Sequence, residues 1–312
     1  MERKMFGCLV LSLIFSFTMQ AFSEPVSFSD KVTLKNNNVD VSVSPKVGRI
    51  VEFKLKGGRN ILKTNNKKDF VSELKRSGYK NYGGDKVYNS QQYDWFFNMN
   101  RKTWPPDEYT DGRPWKLIKK TRKKIIIQSE ISKYLGTRYT RDIELKDDTS
   151  KVTITNTLEQ IKPTIFPVMI WTITLVRKPL FSLLDARYEY YTKQKWTDLR
   201  IDSCKGAVTS LDANTVKFQP TNLDPKPKIG TMGSFLAAVY SDVIFIQKCQ
   251  YDVKKCYPDG ASLEIFMMSG VCELETLSPQ VHMQPGDKIT HKVTWELLRP
   301  AKASEIIKRG NQ

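Results

Sequence analysis

The chain has 312 residues and a formal net charge of +17, with 50 lysines and arginines against 33 aspartates and glutamates. That length allows two average domains, but no Ser/Gly-rich linker divides it, and large β-sandwiches reach this size as one unit. The positive excess favours anionic surroundings, and without a nucleic-acid-binding motif it points to acidic glycans or the envelope surface rather than to nucleic acid.

The chain opens with a charged start (Glu2, Arg3, Lys4), an apolar run from Met5 to Phe17 and the small-residue pattern Ala21-Phe22-Ser23. This is the layout of a secretory signal peptide over residues 1–23, which leaves residues 24–312 as the exported, periplasmic or extracellular, part. The run is short for a membrane span of about 20 residues. Cys8 lies in the run without a lipobox, so lipid attachment there is not expected.

From Val39 onward the sequence alternates with period two or forms short β-branched runs bounded by turn residues, the signature of antiparallel strands. Val39 to Val43 and Ile50 to Leu55 come first, separated by a turn that holds Gly48 and Arg49. A short peripheral helix is expected near Lys67 to Arg76. The stretch from Asn81 to Trp115 then breaks the alternation with glycines, prolines and nine aromatic residues. A long irregular segment this aromatic is expected to be functional rather than disordered, and it is the natural wall of a binding site.

The densest basic run, Lys119-Lys120-Thr121-Arg122-Lys123-Lys124, precedes the strand-like Ile125 to Ile127 and reads as a solvated hairpin end. Further strands follow at Lys151 to Thr155, Val243 to Ile246 and Ser262 to Phe266. Pro163 to Val176 is apolar but too short, and too rich in proline, to cross a bilayer, so no membrane span is expected once the signal is cleaved. A second short helix is expected near Ser304 to Arg309. Strands at this density without alternating helices exclude a doubly wound α/β fold and predict an all-β, antiparallel β-sandwich of two large sheets.

Four cysteines remain after the signal, in an oxidising compartment: Cys204, Cys249, Cys256 and Cys272. Their spacing fits a Cys249–Cys256 bridge closing a hairpin better than a zinc site, because no C-x-x-C pair is present. No metal or cofactor is expected.

Several phrases resemble a bacterial family, the DUF4380 type, placed in the galactose mutarotase-like superfamily: Ser44 to Ile50, Asn81 to Lys86, Trp104-Pro105-Pro106, Tyr257 to Gly260, Glu273 to Pro279, Pro285-Gly286-Asp287 and Trp295-Glu296-Leu297. In aldose mutarotases a late strand carries Leu-Glu-Thr, whose glutamate is the general base, ahead of a Pro-Gly-Glu-like turn and a final strand. Leu274-Glu275-Thr276 is similar, and the resemblance implies Glu275 as the base. The family's acid is a histidine in the strand after a Thr-Asn segment; here Thr155-Asn156 leads to Phe166 to Thr172, and Trp171 or a neighbour takes that place. An indole cannot supply the proton.

Around Glu275 the candidates are as follows. Glu275 itself reads as a base, as an acceptor for sugar hydroxyls, or as an outward strand residue. Glu264, one strand earlier, can approach it across the sheet and form a carboxylic acid–base pair. Asp85 and Lys86 follow Gly83-Gly84: Asp85 is a candidate for the missing acid if burial raises its pKa, and Lys86 a partner for a carboxylate or sulfate. Arg49 either pairs with a carboxylate or faces solvent. Trp104, Trp115 and Trp171 are stacking platforms for sugar rings, whereas Trp295 and Trp95 suit a core. Neither His282 nor His291 is assigned a role. Three functions fit: a carbohydrate-binding sandwich that recognises a sugar or glycan, acidic ones included; a sugar-active enzyme using Glu275, epimerase, lyase or hydrolase; and a structural envelope protein with a vestigial cleft. N-terminal sequencing of the protein recovered from an expressing bacterium should give a first residue near Glu24, and an intact Met1 would contradict export by signal cleavage.

Overall fold

The structure is a computed structural model that describes residues 28–64, 81–100, 105–187, 194–219, 226–268 and 270–299. The expected helices near residues 67–76 and 304–309, the signal segment and Trp104 lie outside the described residues. In chain order the strands are β1 (Val32–Lys35), β2 (Val39–Ser44), β3 (Arg49–Leu55), β4 (Asp85–Tyr88), β5 (Lys116–Lys120), β6 (Lys124–Gln128), β7 (Thr137–Leu145), β8 (Lys151–Gln160), β9 (Trp171–Arg177) and β10 (Phe181–Asp185). They continue as β11 (Thr197–Asp198), β12 (Val208–Ser210), β13 (Thr215–Phe218), β14 (Lys228–Thr231), β15 (Phe235–Val239), β16 (Ile244–Cys249), β17 (Leu263–Met268), β18 (Val271–Leu277) and β19 (Lys288–Leu298). A single short α-helix, α1 (Trp95–Met99), is found among the described residues, with three single-turn 3-10 helices at Pro45–Val47, Gln92–Asp94 and Pro258–Gly260.

Two antiparallel sheets result, one of order β1-β2-β3-β4-β9-β18-β17-β14-β11 and one of order β12-β13-β10-β15-β16-β19-β8-β7-β6-β5. The alternation that predicts strands also sorts their faces. In β7 and β8 every second side chain is buried, among them Tyr139, Ile143, Ile154 and Leu158. Together with Val41, Phe53, Leu274 and Trp295 these make the core between the sheets. Phe53, Phe245 and Trp295 meet edge-on or tilted at centroid distances of 6.0, 5.6 and 5.3 Å, a geometry that adds roughly 0.5–1.5 kcal/mol per pair beyond area burial.

The basic run 119–124 spans the β5–β6 hairpin turn, where Arg122 and Lys123 pair with Asp147, as a solvated hairpin end requires. The 81–115 segment differs from expectation, because it contains strand β4, extended though five of the segment's first six residues are glycine, amide or charged. Gly83 and Gly84 (φ 68° and 70°) make the entry possible: a Cβ on Gly84 would stand 2.4 Å from the carbonyl oxygen of Ile50.

Asp85 corrects one reading. It turns into the space between the sheets, where it pairs with Arg141 of the opposite sheet and accepts from Thr174 Oγ1 at 2.6 Å. Arg141 also donates to Asn156 Oδ1 at 2.9 Å and to the Asp85 carbonyl at 3.1 Å. Burial of both charges needs such complete pairing, and it commits Asp85 to the core rather than to a cleft. The cysteine bridge is corrected too: all four described cysteines are free, with Cys249 buried at the end of β16 and Cys256 exposed on the loop that follows. Asp85→Ala should cost about 3–5 kcal/mol in urea unfolding by leaving Arg141 buried and unpaired, with much of the loss recovered in the double variant Asp85→Leu/Arg141→Met. Equal stability of parent and Asp85→Ala would show that the pair does not tie the sheets.

Candidate functional site

The face of the nine-stranded sheet that looks away from the core carries a row of registered residues. Lys86 of β4 stands opposite Ile173 of β9, Ile173 opposite Glu275 of β18, and Glu275 opposite Glu264 of β17. Their neighbours Asp85, Thr174, Leu274 and Ile265 point inward, so the period of two places this row outward. Leu175, Ile173, Tyr88, Trp95 and Trp171 pack around it as a second, smaller apolar cluster.

At one end of the row two carboxyl groups share a cation. Lys228, on β14, places its Nζ 2.6 Å from Glu264 Oε2 and 3.5 Å from Glu275 Oε2. The two oxygens are therefore no farther apart than these contacts laid end to end. Trp171 donates its indole N–H to Glu275 Oε2 at 2.8 Å, and the Lys228 ammonium lies 5.2 Å from the indole ring. Glu264 Oε1 is buried and meets no hydrogen-bond partner. Asp259, on the turn before β17, adds a third carboxyl close enough to repel the other two.

At the other end Asp111, brought in by the aromatic segment, takes the Arg49 guanidinium and the Tyr88 hydroxyl, the latter at 3.0 Å. Lys86 Nζ is 4.0 Å from Asp111 and 4.9 Å from the centre of the Tyr88 ring. Arg49 further donates to the Gly83 carbonyl at 2.7 Å. Tyr88 meets Trp95 and Trp171 edge to face at 5.7 and 5.4 Å, which joins the two ends. Beside this cluster α1 and the residues before it leave Tyr93, Phe96 and Phe97 exposed at 60%, 48% and 69%.

The electrostatics follow from this crowding. Burial raises the Glu264 pKa well above the carboxylate range, with Glu275 and Asp259 adding to the rise and Lys228 opposing it. Burial and Glu275 push half-buried Glu273 up to about 7 against the pull of Lys86. For Lys228 burial works against the charge, but Glu275 and Glu264 outweigh it and the ammonium is held. Lys86 is lowered by burial, which Asp111 and Glu273 only partly offset.

Of the residues read from the sequence, Glu275, Glu264, Lys86, Arg49 and Trp171 gather on this face. Trp171 is buried and acts through its N–H on Glu275 rather than as an open platform. Trp115 is corrected to a core residue: it stacks on Tyr139 at 6.1 Å, and a Cβ on Gly48 would touch its indole at 2.5 Å. His291 lies between the sheets, bonded to Thr276 Oγ1 at 2.7 Å, its pKa pushed down to about 4 by burial. Lys228, Glu273, Asp111 and Asp259 escape the sequence reading. Glu273 and Asp259 sit inside phrases that carry the family resemblance, whereas nothing in the local pattern distinguishes Lys228 or Asp111 from surface residues. Among the described residues no cluster of His, Cys, Asp and Glu is arranged to hold a metal ion.

The sequence matches the family described as Domain of unknown function (DUF4380) over residues 29–298. Among curated proteins none matches it. In fold it is similar to a galactose mutarotase-like protein from Lactobacillus casei ATCC 334, at 9% identity and TM-score 0.56 over 86% of this chain and 100% of that one. The galactose mutarotase related enzyme from Lactobacillus acidophilus gives 8% and 0.56 over 86% and 97%. The aldose epimerase homologue from C. elegans gives 11% and 0.53 over 86% and 98%. At these identities the likeness is one of fold.

A raised carboxyl pKa means stability that is full below the unfolded value and lost as pH rises through the folded one. Glu273 should therefore cost the parent stability as pH rises from 4.5 to its folded value of about 7, and by a constant amount above that. The melting temperature of Glu273→Gln, measured relative to the parent, should climb across that window; a constant difference would show that Glu273 titrates normally.

Proposed function

The chain belongs to the DUF4380 family and has a galactose mutarotase-like β-sandwich, and from that premise we propose that it is a sugar-active enzyme working by proton transfer, with Glu275 as base and Glu264 as acid. The carrying observation is the direct register of Glu264 and Glu275 on paired strands with the Lys228 ammonium between them. Two carboxyls in one site with different surroundings suit an acid and a base. Glu264 is desolvated beside two further carboxyls, which raises its pKa; Glu275 faces an indole N–H and an ammonium, the donors a carboxylate takes.

Opening a sugar ring at the anomeric carbon needs a base for the O1 proton and an acid for the ring oxygen. In this reading Glu264 supplies the proton that a histidine supplies in aldose mutarotases, and Trp171 holds the base. Lys228 keeps the pair close without neutralising both, because it carries one charge. The sugar that fits is neutral rather than acidic: Arg49 is already matched by Asp111, and Lys228 by Glu264 and Glu275. Export belongs to the same reading through the signal-like first 23 residues. Binding without turnover is the second reading, favoured by the exposed Tyr93, Phe96 and Phe97, whose faces offer stacking surface for further sugar units.

The test is a panel of neutral aldoses followed by exchange NMR at the anomeric proton. The parent should speed interconversion of anomers, and Glu275→Gln and Glu264→Gln should each lose roughly 10²–10⁴-fold. Binding in the parent without exchange would support the second reading and overturn the first.

A further inference from the structure

A second cavity lies away from the carboxyl row. β9 leaves the row at Ile173 and ends at Arg177, about 13 Å farther along the strand at roughly 3.3 Å per residue. There a cavity of about 600 Å³ opens between Arg59 after β3, Arg177-Lys178-Pro179 between β9 and β10, and Tyr240 and Asp242 in the β15–β16 turn. A smaller one of about 150 Å³, lined by Lys56 and Arg299, adjoins it and shares Arg59 and Asp242.

Five cations and one carboxylate thus line the joined space. Lys56 leans on Asp40 at 3.8 Å. Arg59, Arg177, Lys178 and Arg299 make no ion pair among the described residues. The critical group is Arg177. Its guanidinium stands 5.1 Å from the centre of the Tyr240 ring, and the Tyr240 hydroxyl donates to the Arg177 carbonyl, so both backbone and side chain are held. Its Nε and Nη2 are buried and have no hydrogen-bond partner. These two nitrogens form the side edge of the guanidinium, from which two parallel N–H bonds reach one oxyanion. Buried donors left unmade are costly, and of the charged groups that line the joined space five are cations and Asp242 alone is a carboxylate.

We propose that this cavity binds a tetrahedral oxyanion, phosphate or sulfate, free or as an ester, with the side edge of Arg177 as its fork and Arg59 and Lys178 as supporting charges. The site is independent of the carboxyl row: it has a different lining, a net positive rather than a proton-rich character, and no residue in common with the proposed acid and base.

Isothermal titration of the full chain with inorganic phosphate and with inorganic sulfate at low ionic strength tests this, alongside a sulfated oligosaccharide as the ester arm. The expected result is one saturable site, weakened at least about tenfold by Arg177→Met and also weakened by Arg177→Lys, which keeps the charge but loses the fork. Tighter binding of the oligosaccharide than of the free ions, lost in the same variants, assigns the source to an ester; equal binding assigns it to the free ion. Glu264→Gln and the hairpin variant Lys119→Ala/Arg122→Ala should bind as the parent does. Should Arg177→Met fail to fold, Arg59→Ala/Lys178→Ala, both at exposed positions, should give the same loss. Absence of saturable binding, or binding that survives all of these cavity variants, overturns the proposal.

Discussion

The ion pair between Asp85 and Arg141 is the tie on which the arrangement of the carboxyl row depends. β4 is a short, polar strand reached through two glycines in left-handed conformation, and its own side chains do not recommend it for the middle of a sheet. A guanidinium from the opposite sheet, completed by Thr174 and Asn156, fixes its register against β9. Once Asp85 is inward, Lys86 and Tyr88 are outward by the period of two. Those two residues then receive Asp111 and set the far wall of the site.

On the same face Arg49, Lys86, Asp111, Glu264 and Glu275 are buried, Lys228 and Glu273 are half-buried, and Asp259 is exposed at the edge. A carboxyl desolvated beside like charges is favoured in its protonated form. Glu264 is the place where burial, two like charges and an unpartnered oxygen coincide. An assembly of this kind gives little stability for its cost, since buried ion pairs seldom outdo apolar packing. Strongly perturbed groups gathered on one face are instead what acid–base chemistry uses.

Much of the fold was legible because alternation reports one buried face per strand, and β7 and β8 follow that pattern plainly. β4 was not legible, since its buried inward residue is an aspartate and its partner lies 56 residues away in the other sheet. For the site, Glu275 and Glu264 were readable from a three-residue resemblance and from the spacing of two adjacent strands. Asp85 misled because a carboxylate next to a glycine turn looks the same in sequence whether it faces a cleft or an arginine across the core. Trp115 misled for a similar reason, its aromatic neighbourhood being shared by wall and core alike. Lys228 was invisible: only tertiary pairing of β14 with β17 brings its ammonium between the glutamates.

The central claim is that burial lifts the Glu264 carboxyl well above the ordinary carboxylate range while Glu275 faces it directly across paired strands. Carbon-13 NMR of the glutamate carboxyl carbons through a pH titration, with Glu264→Gln used to assign the resonance, addresses it directly. The account predicts that the Glu264 carboxyl ionises well above the ordinary carboxylate range. A Glu264 carboxyl that ionises within that range would contradict it.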